Sequence, residues 1–136
     1  MSRLQAIRFY LIDDNDIDLS VNSKLLQIAD ISPNIHTYSG ALAFLEDIRS
    51  REQDFTNGDH VLLLDIMMPR MNGFECLDEL EKLPVEIKSH LTVFMLSSTI
   101  DRNDIRRAES YGLVQRLLEK PLDIYLLKKA LENLFL

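Results

Sequence analysis

Five short apolar runs recur along the chain: IRFYLID (7–13), NIHTY (34–38), HVLLLDI (60–66), LTVFMLSS (91–98) and VQRLLEK (114–120). Each is followed by a segment with helical spacing. Several are continuously hydrophobic rather than alternating, which is how strands read when both of their faces are covered. Five strand–helix alternations of this kind predict an α/β fold, (βα)5 and doubly wound, with a five-stranded parallel sheet and right-handed crossovers.

Between the runs, one helical stripe is expected from Ile17, Val21, Leu25 and Ile28, a second from Ala43, Leu45 and Ile48, and a third from Phe74, Leu77 and Leu80. Ile105 and Ala108 precede Tyr111 and Gly112, where the glycine reads as a stop signal. A last helix is expected after Pro121, with Ile124, Leu127, Leu131 and Leu134 facing the core and Tyr125 and Leu126 beside them. The polar stretch RSREQDFTNGD (49–59) reads as a helix end and a surface loop.

A doubly wound sheet binds ligands outside the carboxyl ends of its strands. The residues at those ends are Asp13 and Asp14 after the first run, Asp65 in the third, Ser97 and Ser98 in the fourth, and Glu119 and Lys120 in the fifth. Three carboxylates brought together repel one another and call for a hard divalent cation with oxygen ligands. Lys120 supplies a point positive charge for a carboxylate or an anionic group attached to one. An Asp65 carboxylate flanked by such donors can act as a nucleophile toward a phosphoryl group, whose transfer needs positioning and charge stabilisation more than covalent help.

The segments LIDDN (11–15), LLLDIMMPRMNGFE (62–75), FMLSS (94–98) and EKP (119–121) make the chain resemble the receiver domains of two-component response regulators. The resemblance covers essentially the whole chain and implies a flavodoxin-like sheet of strand order 2-1-3-4-5. It implies that Asp65 is phosphorylated, that Asp14 binds Mg2+ directly and Asp13 through water, and that the Met67 backbone carbonyl is a further ligand. Ser97 takes the place of the hydroxyl that turns toward the phosphoryl group, and Lys120 that of the lysine that pairs with it. Pro69 and Gly73 shape the loop after Asp65, and the Lys120–Pro121 bond is cis in the family. One residue departs from the pattern: Leu117 stands where the family commonly carries Tyr or Phe.

Other residues carry plainer readings. Asp13 and Asp14 alone would also suit a helix N-cap, and Asp16 and Asp18 keep the capping reading, as solvated first-turn acids rather than ligands. His36, His60 and His90 lack metal-ligand spacing and read as surface or structural residues. Cys76 reads as a small residue on the third helix. With 136 residues and 46% hydrophobic content the chain suits one domain, 1–136, with no output domain expected. A net charge of -7 argues against nucleic-acid binding. No run approaches the roughly 20 apolar residues of a membrane span, and the lone cysteine agrees with a cytoplasmic location.

The expected function is thus a phosphoacceptor fed by a sensor histidine kinase or histidine phosphotransfer protein. It signals to a downstream protein target, and the last helix region offers a homodimer surface. A phosphorylation-independent binding module on the same fold is the alternative, and a metal-dependent phosphohydrolase a third reading.

Overall fold

The computed structural model describes residues 2–136, and in it the five apolar runs become β1 Arg8–Ile12, β2 Ile35–Tyr38, β3 His60–Asp65, β4 Leu91–Ser97 and β5 Val114–Glu119. All four neighbouring pairs are parallel, in the order β2-β1-β3-β4-β5. The helices are α1 Asp16–Ile28, α2 Ala41–Ser50, α3 Gly73–Leu80, the single turn α4 Val85–Lys88, α5 Arg102–Glu109 and α6 Ile124–Phe135. The α4 turn, inside the connection from α3 to β4, was not legible as a separate element.

Two cores flank the sheet. On one face Phe9, Leu11, Val61, Leu63 and Leu96 meet Leu19 and Leu26 of α1 and Leu127 and Leu131 of α6. On the other, Tyr10, Ile12, Leu62, Leu64 and Met95 meet α2, α3 and α5 through Phe44, Leu45, Leu77, Leu80 and Ala108. Successive strand residues therefore bury on opposite sides, which is why these runs read as unbroken hydrophobics. β1 and β3 are neighbours whose following helices lie on opposite faces, so the carboxyl ends of these two strands mark the switch point of the sheet.

The α1 stripe is corrected by the structure. Ile17 and Ile28 are 73% and 79% exposed and Val21 is exposed as well, while Leu19, Asn22 and Leu26 are buried. At about 100° per residue the two sets lie on opposite sides of the helix. The polar Asn22 interrupts the buried stripe, so the outer stripe carried the stronger apolar signal. Elsewhere Ala43 is exposed, and Ala41 and Phe44 take its place on the buried face of α2. Ile105 lies 37% exposed and Leu134 also faces outward, leaving Ala108 in α5 and Ile124, Leu127 and Leu131 in α6 as the buried residues. The α5 helix ends at Glu109, before Gly112, whose φ is not positive.

Nor is the 49–59 stretch wholly a surface loop. A 3-10 turn at Glu52–Phe55 drives Phe55 into the core, where it meets the rings of Tyr10, Phe44 and His60. His60 is buried, with Nδ1 2.9 Å from the Tyr10 hydroxyl and Nε2 2.8 Å from the Asn57 carbonyl. A carbonyl only accepts, so Nε2 carries the proton and Nδ1 accepts from Tyr10. Burial lowers the His60 pKa and keeps the ring neutral. His60 is thus structural, one of the two roles expected of it.

Candidate functional site

The carboxyl ends of β1, β3 and β5 bring their charged residues to one place. Asp13 follows β1 and is held by its backbone N–H, which donates to the Tyr38 carbonyl at 3.1 Å. Its Oδ1 accepts the Asn15 N–H at 2.9 Å, closing a tight turn. The Asn15 side chain then accepts from the N–H groups of Ile17 and Asp18 and caps α1. Asp65 ends β3, with Oδ1 accepting the Met67 N–H at 3.2 Å. Beyond that loop, Asn72 and Glu75 form a capping box that starts α3. Lys120 is fixed from β4: its backbone N–H donates to the Ser97 carbonyl at 2.8 Å, and the bond to Pro121 is cis.

One carboxylate oxygen from each of Asp13, Asp14 and Asp65 lies within 4.8 Å of the other two. Asp13 and Asp65 are buried and Asp14 is exposed, so the cluster is solid at its floor and open at one side. Lys120 Nζ reaches in from the far edge to Asp13 Oδ2 at 2.8 Å, Asp18 Oδ2 at 3.0 Å and Asp65 Oδ2 at 3.3 Å. Burial and the neighbouring Asp13 charge push the Asp65 carboxyl up to about 6, against the pull of Lys120 and the Met67 N–H. Burial works against the Lys120 ammonium too. Hydrogen bonds to Asp13 and Asp18 and the charges of Asp65 and Asp13 outweigh it, holding this lysine above the usual range. The site carries more negative charge than its one lysine balances.

A family model of the response regulator receiver domain matches residues 9–132. The chain belongs to the response regulator receiver domain family. A response regulator receiver protein from Dyadobacter fermentans DSM 18053 has 36% sequence identity and a TM-score of 0.86, covering 96% of this chain and 98% of its own. A two component response regulator from Cytophaga hutchinsonii, 24% identical, has the same fold at a TM-score of 0.85, with 95% and 96% of the two chains covered. The sensory/regulatory protein RpfC of Xanthomonas campestris pv. campestris is 25% identical over 120 residues, 88% of this chain; the match spans only 15% of RpfC's own length. Among the described residues of this receiver domain, no helix is long and apolar enough to cross a membrane.

The donor set suits a hard divalent cation. The three carboxylates are all oxygen ligands, and one lysine leaves their charge uncompensated. Asp14 and the exposed flank would keep water in such an ion's shell, as Mg2+ prefers. Met67 turns its side chain outward, 70% exposed, so only its main chain can serve the site. The Ser97 hydroxyl is buried and donates to the Thr99 carbonyl at 2.6 Å. It is thus engaged by the loop after β4 rather than by the acids. Leu117 is partly buried against the core beside Met95, its β4 partner.

Two residues of the arrangement were missed. Asn15, not Asp16 or Asp18, caps α1. Asp18 is the part-exposed first-turn acid expected, and it is also a partner of Lys120.

Proposed function

We propose that this receiver domain is a phosphoacceptor in which Asp65 takes a phosphoryl group from a phosphohistidine, with Mg2+ held by Asp13, Asp14, Asp65 and the Met67 carbonyl. The convergence of Asp13, Asp14 and Asp65 on one point, with the Lys120 ammonium on Asp65, is the observation that carries this reading. When bound, the cation would supply positive charge to the oxygens of the transferring group. An Asp65 carboxylate oxygen attacks phosphorus as the donor's P–N bond breaks, and the bonding pair leaves on the imidazole nitrogen. Lys120 donates to an oxygen of the transferred group, and Ser97 exchanges the Thr99 carbonyl for another. Both changes pull on the loops after β3 and β4, so the modification biases a protein surface.

Output and input are then protein contacts. The donor is a sensor histidine kinase or histidine phosphotransfer protein, docking on the outer face of α1, where Ile17 and Val21 stand bare one to two turns from the acids. The downstream target, or a second copy of the chain in a homodimer, is met by the α6 side, where Tyr125 is 81% exposed. Incubation with Mg2+ and acetyl phosphate should add one phosphoryl mass to the wild type and none to Asp65→Asn. No added mass with acetyl phosphate or phosphoramidate overturns the proposal.

A further inference from the structure

The Lys120 ammonium has three N–H donors, and they face three carboxylates, at 2.8 Å for Asp13, 3.0 Å for Asp18 and 3.3 Å for Asp65. Asp65, the proposed acceptor, has the longest of these contacts. The three partners differ in burial: the Asp13 and Asp65 side chains are 4% and 5% exposed, that of Asp18 38%. A buried carboxylate that loses its cation is left without solvent, while Asp18 can return to water at small cost. Asp18 is therefore the partner that Lys120 can release.

We propose that Asp18 is a positioning residue for Lys120: it competes with the phosphoryl group for the ammonium, slows phosphorylation of Asp65, and is let go when the group arrives. This rests on the phosphoacceptor reading above. Asp18 adds a negative charge beyond the three acids of the cluster, so it also repels an anionic donor. Its release loosens a tie between the site and the first turn of α1, beside the exposed Ile17. Leu117 has no aromatic ring to turn, and this tie provides a route from the site to the surface that needs none.

The test compares wild type, Asp18→Asn and Asp18→Glu, with acetyl phosphate and Mg2+ as the probe. Loss of one part-exposed ion pair predicts a second-order phosphorylation rate about two- to fivefold higher in Asp18→Asn, with the wild-type rate largely restored in Asp18→Glu. The Lys120 ammonium NMR signal should shift in unmodified Asp18→Asn. A role in folding alone would move the melting temperature but neither of these readouts. Equal or lower rates in Asp18→Asn, with both proteins modified, overturn this inference and leave the phosphoacceptor reading intact. Absence of modification in both overturns the two together. Should Asp18→Asn fail to fold, the wild type decides: the Asp18 carboxylate carbon signal must move on phosphorylation, and a signal that stays in place overturns the inference.

Discussion

A Cβ placed on Gly73 would lie 2.5 Å from the backbone oxygen of Asp65 and 2.9 Å from the Met95 methyl carbon. The loop from Asp65 to α3 thus folds back directly onto the end of β3, where the Gly73 N–H donates to the Ile66 carbonyl at 2.9 Å. Main chain, unlike a flexible side chain, cannot swing aside. Gly73→Ala should destabilise the protein by about 1 to 3 kcal/mol, as overpacking does, and displace the Asp65 loop. Urea unfolding gives the first quantity. Mg2+ affinity, read from the rise in melting temperature on titration, should fall with it.

Asp65 has a pKa of about 6 against 3.8 for the free side chain, so it holds a proton in the fold that the unfolded chain releases. Between those values the native state binds more protons, and stability falls as pH rises. The penalty is complete above about 6 and on the order of 2 to 3 kcal/mol. Asp65→Asn should therefore be the more stable protein at neutral pH without Mg2+, with the difference closing as pH falls toward 4. Thermal melts of both proteins in chelator across this range check it. A constant difference would show that Asp65 does not carry the proton.

The sheet was legible because β1, β3 and β4 carry long, buried apolar runs, and strands covered on both faces read as parallel. The acids were legible because they stand at the ends of those runs. The faces of α1 were not, because Asn22 occupies the middle of its buried stripe while Ile17, Val21 and Ile28 make an apolar stripe that faces out. Phe55 was hidden among polar neighbours in a stretch with no periodicity. Asp18 escaped because its partner lies 102 residues away in β5's loop, a distance only the tertiary fold closes.

His60 sits at the opposite end of β3 from Asp65 and responds to pH in the opposite sense. Burial depresses its pKa below the ordinary 6.5, so the stability it contributes is fully present above that value. That contribution is lost as pH falls toward the lowered folded value, because the unfolded chain takes the proton first. His60→Phe should flatten this acid limb. Tyr10→Phe keeps the limb but strands the buried Nδ1 without its 2.9 Å donor, at a cost of about 1 to 3 kcal/mol. Denaturant titrations of the three proteins at pH values above and below 6.5 separate the two effects.

The outer face of α1 tests the proposed donor contact independently of the chemistry. Burying an aliphatic side chain is worth about 1.5 to 3 kcal/mol, yet Ile17 and Val21 contribute little of this to the fold because they face solvent. Ile17→Ser combined with Val21→Ser should accordingly change folding stability by no more than about 1 kcal/mol. If a phosphohistidine protein covers that face, the same pair of changes should slow transfer from it by about tenfold or more. Acetyl phosphate is too small to need the surface, so its rate should stay at the wild-type value. Parallel assays with acetyl phosphate and with phosphorylated histidine phosphotransfer proteins distinguish these cases. An unchanged rate from every protein donor would place docking on another face, and equal slowing with acetyl phosphate would mean that the substitutions had disturbed Asp13 and Asp14 through the first turn of the helix.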